Sequence, residues 1–296
     1  MKVSGFTFVR NAVKYDYPVV EAITSILPLC DEFIVCLGKS DDATADLIAA
    51  IASDKIKVIH SVWDDSLREG GRALAVETNK AFDAVAPDSD WAFYIQADEV
   101  VHEKYLPAIR QAMEQHLSNK KVACLVLKYL HFYGSYKYVG DSRSWYRREI
   151  RVIRNDKNIR SYKDAQGFRA LSSNVNGEGY KKLAGKLVDA YVYHYGWVRN
   201  PYFQSAKQAG FATLYNPNAP LTVAPHELFD YGNVSSLALF AGEHPKVMQA
   251  RVGAMNWRFE FDTSKKRLPL KYKVLQWIES ATGKRLFEFR NYKIIT

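Results

Sequence analysis

The sequence predicts an α/β domain whose mostly parallel sheet is covered by helices, followed by a mainly helical extension rich in Lys and Arg. Three observations predict it. Apolar runs of strand length alternate with amphipathic stretches of helix length through the first half of the chain. Polar loops follow the strands, and positive charge gathers near the end of the chain.

The first strand runs from Val3 to Val9. A helix follows from Pro18 to Leu27, with Asp16 placed to cap it and Pro18 in its first turn. Glu32 to Leu37 is the second strand, succeeded by the polar loop Gly38-Lys39-Ser40-Asp41-Asp42 and a helix from about Thr44 to Ile51. Lys55 to His60 reads as a strand, Arg72 to Val85 as a helix, and Trp91 to Ile95 as a strand ending at Gln96-Ala97-Asp98-Glu99. From Val122 the pattern becomes β-rich, with strands at Ala123 to Phe132 and Ile150 to Arg154. A strand-like run from Asp189 to His194 precedes the extension, so the expected division is 1–200 for the α/β domain and 201–296 for the helical, basic part. Ligands of open α/β sheets bind beyond the carboxyl ends of the strands, which marks the loops 38–42, 63–71 and 96–103 as the expected site.

Composition narrows the class. With 296 residues, 48% hydrophobic and 25% charged, the chain is globular and neither disordered nor fibrous. Cys30, Cys36 and Cys124 lack metal-ligand spacing and read as small buried hydrophobes of a reducing, cytoplasmic protein. Met1 to Phe8 is interrupted too soon by Arg10 and Asn11 for a signal peptide, and no apolar run reaches roughly 18 residues. The net charge of +9 resides mainly in the last segment, where nine Lys and Arg face two Glu between Lys265 and Thr296. No motif favours nucleic acid. Tyr272, Val274, Leu275, Trp277 and Ile278 beside Lys271, Lys273, Lys284 and Arg285 lead us to expect peripheral contact of 268–296 with an anionic membrane, with packing onto the α/β domain as the rival. The aromatic share of 14% offers flat surfaces for sugars or bases, Trp145 and Tyr146 among them, or core packing.

Gly38-Lys39-Ser40-Asp41-Asp42-Ala43-Thr44, followed beyond the strand Ala92 to Ile95 by Gln96-Ala97-Asp98-Glu99, resembles the family 2 glycosyltransferases of GT-A fold. In that family a Ser/Thr/Asp loop follows strand two, an Asn lies in the next-but-one helix, and an Asp-x-Asp motif closes a later strand. Ser40, Asp42 and Thr44 match the loop, Asn79 the helix position, and Asp98 the second Asp. Gln96 stands where the first Asp is expected, and Gly38-Lys39 where a base-contacting Asp is usual. The resemblance covers residues 1 to about 110, and its Asp-Glu ending is most like enzymes of bacterial cell-surface polysaccharide and lipopolysaccharide synthesis. It implies inverting transfer of a hexose or N-acetylhexosamine from a nucleotide-diphosphate sugar to a saccharide or lipid-linked acceptor. Arg10, Ser40, Asp42, Asn79, Gln96 and Asp98 are the candidate donor contacts.

A diphosphate leaving group needs its growing charge neutralised, which Mg²⁺ or Mn²⁺ on carboxylate oxygen does. Asp98 is the candidate ligand; its alternative role is to cap a helix starting near Val101. His194 resembles the late His that completes the metal site in many GT-A enzymes, against a core histidine among Tyr193, Tyr195 and Trp197. Arg199 is an alternative phosphate contact. Asp164 is the candidate base that takes the acceptor's proton, with Asp141 and Glu178 as rivals. Arg147, Arg148 and Arg151 read as acceptor contacts or as a solvated strand edge. Two other functions compete. A nucleotidyltransferase would carry a Gly-rich basic loop after strand one, where this chain has Arg10-Asn11-Ala12-Val13, and a non-catalytic nucleotide-sugar-binding or membrane-docking protein would explain Gln96.

Overall fold

The computed structural model describes residues 1–174, 177–216, 218 and 227–295, with all their side chains but those of 173, 174, 177 and 178. The parallel half is built from β1 (Val3–Val9), β2 (Glu32–Gly38), β3 (Ile56–Ser61) and β4 (Trp91–Tyr94), in the order β3-β2-β1-β4. Helices α1 (Val19–Ile26), α2 (Thr44–Ala49) and α3 (Arg72–Asp83) make the crossovers. β1, β2 and β4 are buried almost throughout, as central strands covered on both faces must be. Gly5 admits the close approach this requires, since a Cβ there would lie 2.3 Å from the Phe33 ring.

The second half continues with β5 (Glu99–Val101), α4 (Leu106–Gln115), β6 (Cys124–Tyr133), β7 (Ser135–Gly140), β8 (Arg148–Arg154), β9 (Ile159–Ser161), β10 (Phe168–Asn174) and β11 (Gly177–Trp197). The sheet extends from β4 through β8-β6-β11-β10-β9, with β8 antiparallel to both neighbours and β11 parallel to β6. After residue 200 come α5 (Pro201–Tyr215), β12 (Leu237–Leu239), α6 (Gln249–Gly253), α7 (Leu270–Thr282) and β13 (Tyr292–Ile294). β12 pairs with β7 and β13 with β11, so this segment adds strands to the sheet as well as helices.

Two local expectations are corrected. Asp16 does not cap α1: the boundary residue is Pro18, no side chain caps the helix, and Asp16, at φ 49, pairs instead with Arg251. The helical turn nearest Val101 is a short 3-10 turn at Glu103–Tyr105 whose cap is His102, while Val100 and Val101 are buried in β5, which pairs antiparallel with β11. The next α-helix starts at Leu106, so Asp98 caps nothing.

The core lies on both faces of the sheet. Ile23, Ile26, Ile109 and Met113 of α1 and α4 pack with Phe33 and Phe93 on one side, and Ala81 and Phe82 of α3 pack with Phe6 and Tyr94 on the other. Phe132, Tyr136, Tyr193 and Tyr195 form an aromatic cluster in the second half, and Tyr133, Tyr138 and Tyr231 another. Much of the aromatic share is therefore core. Among the described residues no helix is long and apolar enough to cross a membrane.

Candidate active site

The loops after β1 and β2 are knitted together by the residues that carry the sequence motif. Ser40 Oγ accepts from the backbone N–H of Asn11 and donates to the Gly38 carbonyl. Asp42 accepts from the N–H groups of Lys14 (2.7 Å) and Thr44 (2.9 Å). Thr44 Oγ1 in turn accepts from Ala12 N–H. Asn79 bonds both the N–H and the carbonyl of Ser161, tying α3 to β9. Ser40, Asp42 and Asn79 thus brace the loops and do not line the cleft described below.

Asp98 and His194 are brought side by side by the pairing of β5 with β11. Glu99 stands opposite His194 in that register, and Tyr195 N–H donates to the Asp98 carbonyl. Gly196 makes the contact possible, since a Cβ there would meet the His194 ring at 2.5 Å and Asp98 Oδ2 at 2.9 Å. His194 Nε2 lies 3.7 Å from Asp98 Oδ1. Its tautomer follows from a chain of partners. His131 Nε2 lies 2.7 Å from the Tyr146 carbonyl and must donate to it, leaving His131 Nδ1 to accept from His194 Nδ1–H at 3.2 Å. The His194 Nε2 lone pair is then free beside Asp98. Burial, and then its neighbour His194, lowers His131 well below the usual histidine range, and burial lowers His194 despite Asp98, so both rings are neutral at pH 7.

A lysine completes the group. Lys207 of α5 places Nζ 3.0 Å from Asp98 Oδ2 and 2.9 Å from the Gly196 carbonyl. Burial and then the Arg199 charge push Lys207 down to about 8, which leaves it cationic at pH 7. Burial opposes the charge of Asp98, but the Lys207 ammonium beside it, and then the Arg199 charge, outweigh it and hold the carboxyl well below the usual carboxylate range. Arg199 is fully buried, donating to the carbonyls of Tyr15 and Gly196, so it acts as a fixed charge under the site and not as a direct phosphate contact. Two buried cations facing one carboxylate leave a floor that favours an anion.

Asp164 lies opposite on a loop pinned at two points. Gln96 Nε2 donates to the Ala165 carbonyl at 3.2 Å, and Arg151 Nη1 to the Gln166 carbonyl at 3.0 Å. Arg151 is fully buried in a two-bond pair with Glu99, whose oxygens lie 2.6 and 2.7 Å away, so it is neither a solvated edge nor an acceptor contact. Arg147 is likewise engaged, with Glu279 and Glu288. Lys163 and Ala165 have φ of 54 and 60, so Asp164 sits between two left-handed residues. Asp164 makes no hydrogen bond among the described residues. Asp141 is bound to Lys266 at 3.0 Å away from the cleft, and the side chain of Glu178 lies outside the described residues.

These groups share one cleft of about 720 Å³ at the carboxyl ends of β1 and β4, lined by Arg10, Gln96, Asp98, Asp164, His194 and Lys207. Arg10 lies over the Trp63 ring, 5.3 Å from its centroid, and Lys14 pairs with Asp41 at the rim. Trp197 is shared with a second recess of about 560 Å³, whose walls include Tyr133, Trp145, Phe229, Asp230 and Asn233. Among the described residues no group of three His, Cys, Asp or Glu converges, so a divalent ion would have two protein donors, Asp98 Oδ1 and the His194 Nε2 lone pair. The Asp98 oxygen suits Mg²⁺ or Mn²⁺, the His194 imidazole is the softer donor, and phosphate and water would fill the remaining positions. Lys207 and His131 carried no signal in the sequence: one looks like a surface lysine of a polar helix, the other like an alternating strand residue.

No protein-family model matches the chain, and no curated protein matches it. Solved structures resemble it in part. S. aureus TarS superposes with a TM-score of 0.41 at 15% identity over 71% of this chain, which spans only 39% of the TarS chain. Glucosyl-3-phosphoglycerate synthase from Mycobacterium tuberculosis, in complex with Mn²⁺, UDP and phosphoglyceric acid, gives 0.31 at 18% identity over 44% of this chain and 43% of that one. The 4-diphosphocytidyl-2C-methyl-D-erythritol synthase of Anaerococcus prevotii gives 0.33 at 12% identity over 52% and 70%.

Proposed function

We propose that the chain is an inverting glycosyltransferase that moves a hexose or N-acetylhexosamine from a nucleotide-diphosphate sugar to a saccharide or lipid-linked acceptor. The observation that supports it most is the convergence of Asp98, His194 and Lys207 on the floor of a cleft at the carboxyl edge of the sheet. Lys207 and Arg10 attract the donor diphosphate, and Trp63 and Tyr15 offer flat walls to the nucleoside. Asp98 and His194 would hold Mg²⁺ or Mn²⁺, which supplies Lewis-acid neutralisation of the diphosphate oxygens. Asp164 takes the proton of the acceptor hydroxyl as that oxygen bonds to the anomeric carbon. The bond from this carbon to the diphosphate breaks, and its electron pair leaves with the nucleoside diphosphate. The acceptor enters across Trp197, where Tyr133, Trp145 and Phe229 give ring faces and Asp230 and Asn233 meet hydroxyls.

Calorimetric titration with UDP, GDP and TDP, with and without Mn²⁺, tests the reading. We expect one diphosphate to bind, more tightly with Mn²⁺, the enhancement to vanish in Asp98→Asn, and a milder loss in His194→Ala. Absence of binding by all three, or Mn²⁺-enhanced binding to Asp98→Asn as tight as to the native chain, overturns it.

A further inference from the structure

The helix α7 has an inner and an outer side of different chemistry. Inward, Leu275 is buried, and Glu279 accepts from Arg143 (2.6 Å) and Arg147 (3.1 Å), which fastens the helix to the segment leading into β8. Outward, Leu270, Val274 and Trp277 follow one another at i, i+4 and i+7 and form a single stripe, exposed by 77%, 49% and 71%. Tyr272, Leu275 and Ile278 are not part of it, in contrast to the reading of the sequence, because they are buried or half-buried against the domain.

The stripe is continued in sequence by two more exposed rings. Gly283 ends the helix in the left-handed conformation, and Phe287 and Phe289 are 88% and 67% exposed. Phe287 has φ 57, a conformation a bulky side chain adopts only where its surroundings enforce it. A strained backbone that holds an aromatic ring out into solvent serves no purpose in packing, and a run of large exposed apolar groups marks an interaction surface.

We propose that this face docks on an anionic lipid bilayer, with Leu270, Val274, Trp277, Phe287 and Phe289 entering the headgroup region. Charge selects the occupant. Glu279 and Glu288, the two acids of this segment, are turned inward into pairs with Arg143, Arg147, Arg285 and Arg290. Lys271, Lys273, Lys284 and Lys293 are exposed and make no ion pair among the described residues. The face is therefore apolar and cationic with no outward anion, which suits acidic headgroups and aromatic seating at the interface. A second copy of the chain would bring the same sign of charge to the contact and be repelled.

Co-sedimentation of the full chain with vesicles tests this: pure phosphatidylcholine against phosphatidylcholine with one-third phosphatidylglycerol. Binding should require the anionic lipid, weaken as salt is raised, and fall about fivefold for each of Lys271→Ala and Lys273→Ala. The double variant Trp277→Glu, Phe287→Glu should abolish it with unchanged melting temperature and unchanged nucleotide binding, since both side chains lie outside the core and the cleft. Equal binding to neutral vesicles, or native-like binding by the double variant, overturns the proposal. A concentration-dependent dimer in size exclusion that the double variant dissolves, with no vesicle binding, assigns the face to self-association and overturns it equally.

Discussion

Asp164 is held in place at some expense to the backbone. Its neighbours Lys163 and Ala165 both lie in the left-handed region, at φ 54 and 60, where a non-glycine residue is disfavoured by on the order of 1–3 kcal/mol. The hydrogen bonds from Gln96 and Arg151 to this loop oppose that strain and aim a carboxylate without a hydrogen-bond partner among the described residues into the cleft. Gln96 thereby acquires a reason to be an amide, since an Asp would have no donor for the Ala165 carbonyl. We expect Asp164→Asn to lower turnover by about 10²–10⁴-fold while donor affinity stays within twofold of native, because a base acts on the acceptor. Steady-state rates and a nucleotide titration on the same variant check this, and native turnover removes Asp164 from the role. At this scale Asp98 was legible because it follows an apolar strand, and His194 only through the family resemblance, since it lies within the long strand β11. Lys207 was not, because a lysine whose ammonium meets a carboxylate over a hundred residues away looks in sequence like any helical surface lysine.

Elements were legible in proportion to how apolar they are. β1, β2 and β4 are short runs dominated by apolar residues, and the structure finds them within a residue or two of their expected bounds. β11 was seen only from Asp189 to His194, although it spans Gly177–Trp197, because its first half mixes lysines and glycines with few apolar residues. β13 escaped notice because its three residues, Tyr292–Ile294, are too few to show a period, and it matters at the junction with β8. There Glu149 is buried, accepting from Asn291 Nδ2 at 2.7 Å and from Ile150 N–H at 2.8 Å. Burial pushes its carboxyl up to about 7 against the relief given by Arg151. A folded-state value above the unfolded one means that the neutral form stabilises the fold fully below pH 4.5, and that this contribution disappears as pH rises through about 7. The difference is on the order of 3 kcal/mol. Urea unfolding should accordingly show native stability falling between about pH 5 and 8, and Glu149→Gln should flatten that decline and be the more stable protein at pH 8. Parallel pH profiles of the two proteins would remove Glu149 as the cause.

On the scale of the whole molecule, the C-terminal segment bears the chain's excess charge outward and its ties to the sheet inward. β13 pairs with β11 at Leu183, Ala184 and Gly185, Tyr292 is buried beside it, and the Asn291 side chain reaches both Glu149 and the Tyr162 hydroxyl. Tyr162 opens the loop that carries Asp164, so the Asn291 side chain ties the last strand to the wall of the candidate cleft. The composition of residues 265–296 showed the charge but not these contacts, because three strand residues and one asparagine leave no periodic trace. Removal of residues 286–296 would uncover Tyr292's site, leave Glu149 without its amide partner and expose one edge of β11. Loss of a buried aromatic together with an unsatisfied buried acceptor amounts to at least about 3 kcal/mol. We therefore expect the truncated protein to unfold at a clearly lower urea concentration, in one cooperative transition, and to lose turnover along with stability because the Asp164 loop loosens. A segment that only decorates the domain would instead leave the midpoint unchanged. The comparison of midpoint, slope and turnover between the truncated and full chains decides between a separable appendage and a structural part of the catalytic unit.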